Sequence, residues 1–426
     1  MIARYRIRHF LSLSRMRAAL LLPLIVTCPP VPGRASRQEG AQSSKALAAP
    51  LPIEDPGGDA MRAFYESLML TEARLPRAIT RILHYGDSHV AADILTGELR
   101  RKFQTGFGYG GPGFILPGRP WQGYSPHGVR TTTSPGWETR GLKTSQESDR
   151  RFGLAGMSLE TQRPDEWIRV DADCRRFEIY LLTQLGGGAV QVTMDGKVYR
   201  RVSLASQRAA ATYLEVTART DGAHSVEIRT ISAGAVRVLG VAVEREIAGV
   251  VYDALGINGA RANRLLEWDW KVFADNLEHR DPKLIIVAYG SNEVGDADLD
   301  LEVYGRTFSA LLGRLRTAVP GASLLVVSPP DRAIRVNGEW QTIARMRSLV
   351  AAQRKAALEA GAAFWDFFSV MGGSGSIQRW ATRVQPLAQP DRVHLTREGY
   401  RLAAEMLYAE LMRGYLWELV GGVDRQ

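Results

Sequence analysis

Two short stretches, Gly86-Asp87-Ser88-His89 and Asp391-Arg392-Val393-His394, hold between them a hydroxyl, an imidazole and a carboxylate. These are the three side chains that acyl transfer needs. A serine hydroxyl is a poor nucleophile until a histidine takes its proton. The histidine in turn needs a carboxylate on its other ring nitrogen, to fix the tautomer and stabilise the imidazolium. Residues three apart on a tight loop can supply that last pair from one piece of backbone. Ser88 is therefore the candidate nucleophile, His394 the base and then acid, and Asp391 its orienter. The tetrahedral oxyanion also needs preorganised donors. The side-chain amide of Asn292 and the backbone N–H groups of Gly259 and Ser88 are the candidates, with Gly256 a rival to Gly259.

The elements around these residues are legible. Ala78 to Tyr85 reads as a buried strand running into Gly86-Asp87-Ser88, and Ile94, Leu95, Leu99 and Phe103 follow at a helical period. From Val250 the chain alternates strands (250–255, 283–289, 322–327, 363–367) with helices (to about 273, 301–319, 343–360, 396–420), and residues 372–391 read as a loop. That alternation predicts a parallel sheet covered on both faces, a three-layer α/β/α domain. In open parallel sheets, sites form beyond the carboxyl ends of the strands. Ser88, Gly259 and Asn292 each lie just past such an end, and the Asp391–His394 loop falls on the same edge.

Between residues 121 and 246 the character changes to short alternating runs. Examples are Trp167-Ile168-Arg169-Val170, Arg176-Phe177-Glu178-Ile179 and His224-Ser225-Val226-Glu227-Ile228, with turn signals such as Asp195-Gly196 and Asp221-Gly222. Short strands at this spacing predict an all-β sandwich inserted into the α/β domain. The expected organisation is a signal peptide (1–35), a flexible linker (36–58), a hydrolase domain (59–120 and 247–426) and the β module (121–246).

Five arginines precede an apolar run, Ala18 to Val26, followed by Pro29, Pro30, Pro32 and Gly33. This is the layout of a secretory signal, with an apolar stretch too short to span a bilayer. Ile25-Val26-Thr27-Cys28 is a poor lipoprotein box, because Thr27 is not small. Removing residues 1–35 takes six arginines and lowers the formal net charge from +9 to about +3. That leaves little reason to propose a nucleic-acid partner. Cys174 would be the one remaining thiol, so no intramolecular disulfide is expected. An exported protein of the periplasm or cell envelope is the expectation, with no stable membrane span after signal removal. There is no His-Glu-x-x-His and no paired Cys, so no metal or other cofactor is expected.

The four blocks Gly86-Asp87-Ser88, Gly259, Gly290-Ser291-Asn292 and Asp391-Arg392-Val393-His394, in that order, resemble the SGNH (GDSL-type) hydrolase superfamily. His89 stands where the name-giving Leu would be. A closer resemblance is to bacterial peptidoglycan O-acetylesterases, through His84 to His89, the glycines from Gly108 to Gly113, and Gly256-Ile257-Asn258-Gly259. Those enzymes also carry a β-sandwich, similar to a carbohydrate-binding module, after the first block. The resemblance implies a serine esterase that removes acetyl groups from the C6 hydroxyl of muramic acid, with acetylated glycan as its partner.

An O-acetyltransferase using the same triad, and a catalytically idle glycan-binding protein, are the alternatives. Asp87 is expected to brace the turn, and His84 and His89 to be structural partners or cleft lining. Trp121, Trp137, Trp167, Trp365 and Trp380 are expected in the core, with one or two available to stack on sugar rings.

Overall fold

A computed structural model describes residues 51–141 and 149–421. The expected signal peptide and most of the expected linker lie outside them. In chain order the strands are β1 (Ile79–Gly86), β2 (Gly113–Ile115), β3 (Val129–Thr133), β4 (Glu138–Gly141), β5 (Met157–Thr161), β6 (Trp167–Thr183), β7 (Ala189–Met194) and β8 (Lys197–Ser203). They continue as β9 (Ala210–Thr230), β10 (Val236–Glu244), β11 (Gly249–Gly256), β12 (Leu284–Ala288), β13 (Ser323–Val327), β14 (Ala333–Val336), β15 (Glu339–Thr342) and β16 (Ala363–Trp365). The helices are α1 (Arg62–Glu72), α2 (Ser88–Ala91), α3 (Leu95–Phe107), α4 (Trp270–Arg280), α5 (Leu301–Ala318), α6 (Met346–Glu359), α7 (Phe367–Val370), α8 (Ser376–Ala381) and α9 (Arg397–Gly421).

Strands β11, β1, β12, β13 and β16 form a parallel sheet in that order. Their side chains alternate between two cores. Leu83, Tyr85, Ile285, Val287, Leu324 and Val326 pack on the face that carries α4, α5 and α6. Ile82, Val250, Tyr252, Leu284, Ile286 and Leu325 pack on the face that carries α1, α3 and α9. A strand with apolar residues at both parities can be buried on both sides, and only a parallel sheet between helices asks for that. This is the expected three-layer architecture.

Residues 51–58, expected as the end of the linker, are instead docked. Glu54 exchanges backbone hydrogen bonds with Phe364 at 2.7 and 2.9 Å, extending the sheet edge beside β16.

The remaining long strands form a nine-stranded antiparallel sheet. The expected sandwich takes the form of one continuous hydrogen-bonded sheet. Its two longest strands, β6 and β9, pair along their whole length, and the segments read as separate strands on either side of residues 174–176 and 217–222 are joined. Arg176 pairs with Thr217 and Cys174 with Gly222, so residues 218–221 bulge opposite Arg175. The turn signal Asp221-Gly222 marks this bulge, which bends the strand without ending it. Ile168 and Val170 before the break, and Ile179 and Leu181 after it, share one core. Tyr180 and Leu182, on the opposite face, pack into the core of the parallel sheet. The antiparallel sheet also recruits β2, upstream of residue 121, as a partner of β10.

The seam between the sheets carries a buried ionic cluster. Glu244 on β10 accepts from Arg81 of β1 at 2.8 and 2.9 Å, from Arg176 of β6 at 2.5 Å and from Arg280 of α4 at 2.5 Å. Arg280 also donates to Asp253 of β11 at 2.7 and 3.1 Å. Burial alone would raise the Glu244 carboxyl, but the surrounding guanidiniums outweigh it and hold the group well below the carboxylate range. Cys174 is buried, and burial pushes its thiol up to about 12.

Candidate active site

Ser88 opens α2 immediately past the end of β1. The turn is tight because nothing else fits. A Cβ on Gly86 would meet Val90 Cγ2 at 2.4 Å and the Ala288 carbonyl oxygen at 2.8 Å. Asp87 caps the helix, its carboxylate accepting from the His89 backbone N–H at 3.0 Å, which is the bracing role expected of it.

The Ser88 hydroxyl lies 2.9 Å from His394 Nε2, and His394 Nδ1 lies 2.7 Å from Asp391 Oδ2. A carboxylate beside Nδ1 fixes the proton there, leaving the Nε2 lone pair to accept from the serine. Asp391 is itself oriented, its Oδ1 accepting from the backbone N–H groups of Val393 at 2.9 Å and His394 at 3.0 Å. Burial pushes the Asp391 carboxyl up. The hydrogen bonds from the His394 ring and from the two backbone N–H groups outweigh that and leave it below its ordinary value. The three residues are thus brought together from positions 88 and 391–394, on a rim where Asp391 and His394 remain exposed.

The expected oxyanion residues sit on two neighbouring loops that are tied to each other. Asn292 Nδ2 donates to the Ala260 carbonyl at 2.9 Å. Gly259, next to Ala260, is exposed and has φ of 75°, and a Cβ there would meet nothing within 4 Å. Gly256 serves packing instead, since a Cβ would strike the Ala91 backbone nitrogen at 2.2 Å. Among the described residues, the backbone N–H groups of Ser88 and Gly259 donate to no protein acceptor.

Glu293, left without a role by sequence, clamps the two loops. Its oxygens accept from Ala262 N–H at 2.9 Å and Gly290 N–H at 3.1 Å. Burial, only partly offset by these bonds, pushes its carboxyl up to about 7.

Histidines 84 and 89 are structural partners, as expected. His84 Nδ1 lies 2.8 Å from the Tyr252 hydroxyl, and burial lowers its pKa to about 3, so it is neutral. His89 bonds the Tyr400 hydroxyl at 3.0 Å and packs its ring 5.5 Å from that of His394.

The support of the Asp391–His394 loop was not read from sequence. Strands β14 and β15 form a hairpin whose loop is Asn337-Gly338, both with positive φ. Trp340 on this hairpin lies under the guanidiniums of Arg335 and Arg392, each 5.1 Å from the ring. Arg392, with φ of 56°, accepts through its carbonyl from Ala333 N–H at 3.1 Å. Arg332, next to it, donates to the Ser291 carbonyl and so links this hairpin to the Asn292 loop. The Asn-Gly pair between alternating residues is a strong hairpin signal that could have revealed the unit. The expected loop 372–391 also contains α8, whose Gln378 side chain accepts from Arg392 at 2.7 Å.

The geometry joins a serine, an imidazole and a carboxylate in one hydrogen-bonded chain, with the Ser88 and Gly259 N–H groups free of protein acceptors among the described residues. Residues 215–402 match the GDSL-like lipase/acylhydrolase family, a stretch that includes Gly259, Asn292, Asp391 and His394. Comparison with curated proteins finds no significant sequence match. Among solved structures, one of a peptidoglycan O-acetylesterase is 24% identical, covers 85% of this chain and 99% of its own, and has a TM-score of 0.72. An active-site mutant of a family two carbohydrate esterase from Clostridium thermocellum is 11% identical, covering 67% of this chain and 100% of its own, at a TM-score of 0.32. The family two carbohydrate esterase from Cellvibrio japonicus is 13% identical, covering 68% and 98%, at 0.28. These last two likenesses are too low to weigh. Residues 215–402 are thus similar to the GDSL-like lipase/acylhydrolase family, and the solved esterase structure shares the fold. The fold shared with that structure is a parallel α/β sheet with an antiparallel β insertion.

Proposed function

We propose that the protein is an exported serine esterase that removes O-acetyl groups from cell-wall glycan, acting on the C6 O-acetyl of muramic acid in peptidoglycan. The observation that carries the chemistry is the continuous hydrogen-bond relay from Ser88 through His394 to Asp391, at 2.9 and 2.7 Å. The substrate class is supported by the structural likeness to a peptidoglycan O-acetylesterase. The envelope location is supported by the basic-then-apolar amino terminus. Among the described residues no helix is long and apolar enough to cross a membrane.

In this reading Ser88 Oγ attacks the acetyl carbonyl as its proton passes to His394 Nε2. The oxyanion is held by the N–H groups of Ser88 and Gly259 and by the second N–H of the Asn292 amide, the first being bound to Ala260. The bond from the carbonyl carbon to the sugar oxygen then breaks; His394 protonates that oxygen, the sugar departs with a free hydroxyl, and the acetyl group stays as an ester on Ser88. Water, deprotonated by the same imidazole, attacks that ester. Acetate leaves and the serine regains its proton. Asp391 stays ionised throughout and stabilises the imidazolium. Residues 121–246 act in this reading as a module that positions the glycan strand beside residues 59–120 and 247–426.

The test is acetate release from O-acetylated peptidoglycan against the same material after mild base removes its esters. Release from the first alone is expected. Equal or absent release from both, by protein that still hydrolyses aryl acetates, would reject the glycan as substrate.

A further inference from the structure

One turn of helix away from Ser88, about 5 Å along the axis, lies a cavity of about 60 Å³ that the relay above does not use. One wall is the catalytic element itself, Val90 to Ala92 with Gly256 behind it. The opposite wall is the segment that leads into the antiparallel sheet, contributing Trp121, Tyr124 and His127. The cavity therefore sits on the same rim as Ser88, between the serine helix and the inserted region.

Its polar floor is preorganised. Asp93 sits at φ of 47°, a conformation that non-glycine residues adopt only when their surroundings impose it. Arg100, itself buried, grips both carboxylate oxygens of Asp93 at 2.9 and 3.2 Å, and Thr96 donates to one of them at 2.6 Å. The carboxylate is thus fixed, lines the cavity and is not fully buried. Trp121, which lines the same cavity, is half-buried and set edge-to-face against Tyr124, with ring centroids 4.5 Å apart. The Tyr124 hydroxyl in turn accepts from Leu116 N–H at 2.9 Å, so the aromatic pair is held in place. His127 stands exposed at the mouth.

An aromatic face opposite a rigid carboxylate, with an imidazole at the entrance, suits an amphipathic ring with equatorial hydroxyls. The apolar C–H face lies on the indole, and the hydroxyls donate to the carboxylate. We propose that this cavity is a glycan subsite, which takes the pyranose ring neighbouring the one whose ester faces Ser88, with Trp121 as its platform and Asp93 as its hydroxyl acceptor. The proposal rests on the glycan reading above and adds which residues select a polymer over a small ester.

The test compares kcat/KM on O-acetylated glycan oligomers with kcat/KM on an aryl acetate that reaches only the serine. Trp121→Ala is expected to lower the ratio of the two about tenfold, the loss of about 1.4 kcal/mol, mainly through KM. An unchanged ratio overturns the subsite. Because Trp121→Ala could disturb folding, hydroxyl-radical footprinting on the Ser88→Ala protein provides a second measurement. A base-treated GlcNAc-MurNAc oligomer should protect Trp121 and Tyr124, and no protection at saturation overturns the subsite again. A wild-type protein that releases no acetate from glycan fails the substrate reading and takes the subsite with it. Acetate release with an unchanged ratio and no footprint fails the subsite alone.

Discussion

The rim that carries the relay and the seam that joins the two sheets both rest on charge, and they use it in opposite ways. At the seam, Glu244, Arg280 and Asp253 are almost fully buried and every one is paired. At the rim, Asp391 and His394 are exposed and bond to each other, to their own loop backbone and to Ser88. A buried ion pair costs desolvation, and it contributes rigidity and register more than stability. An exposed triad can admit substrate and exchange protons with it. The contrast teaches that position in the fold, and not residue type, decides whether a carboxylate is locked among guanidiniums or left facing solvent beside an imidazole.

The sharpest way to test the contrast is at its two ends. Ser88→Ala is expected to reduce acetyl-ester hydrolysis by several orders of magnitude and to leave thermal unfolding nearly where it was. Wild-type activity in that variant would remove Ser88 from the reaction. Glu244→Ala should do the reverse. It removes the carboxylate that Arg81, Arg176 and Arg280 share, leaving Arg280 only Asp253, and denaturant titration should record a loss of about 3–5 kcal/mol. The fraction still folded should retain its turnover. A loss below about 1 kcal/mol would mean that the cluster is solvated in a way its burial does not suggest.

Asn292→Ala probes the boundary between the two uses. It removes both a proposed oxyanion donor and the tie to Ala260. A fall in kcat of about 10²–10³, equivalent to about 2.7–4 kcal/mol of barrier, is expected with little change in KM. A change confined to KM would assign Asn292 to substrate binding.

Acid should find a weak point beneath the rim. His84 is buried and neutral, with a pKa of about 3 in the folded protein against 6.5 in the unfolded chain. Between those values the unfolded chain binds the extra proton, so stability is complete above about pH 6.5 and drains away as pH falls toward 3. His84→Gln should flatten that part of a Tm-versus-pH curve, and an unaltered slope would exclude His84 as the source.

The smallest effect expected is that of Trp340→Ala. It leaves the relay intact and removes the surface on which Arg392 lies. A several-fold loss of kcat, with the pH profile preserved, would match a loop held less firmly. Full activity would show that the backbone bond from Ala333 to Arg392 holds the loop unaided.

How much of this was readable from residues alone differs by element. The parallel strands announce themselves because burial on both faces demands apolar side chains at every position, as in Leu284-Ile285-Ile286-Val287. Ser88, Asp391 and His394 could be singled out as a candidate set because acyl transfer tolerates few substitutes for those groups, and the fold brings the three side chains together. Strand length in the inserted region was not readable. Asp221-Gly222 looks the same in a bulge as in a turn, and only the partner strand, through the pairing of Cys174 with Gly222, distinguishes them. Glu293 was equally opaque, since a glutamate that clamps two backbone N–H groups carries no local mark of it.

The order of residues along the chain was enough to single out which groups could react and the main strands and helices of the parallel sheet, because both follow from side-chain chemistry and local periodicity. Folding alone decided that Asp391 lies 2.7 Å from the ring of His394 while that ring reaches a serine 306 positions earlier. The same is true of Trp340 supporting Arg392, and of Glu244 drawing three arginines from three separate elements. Such contacts depend on distances between segments remote in sequence, which no local pattern encodes and only packing around a shared sheet can fix.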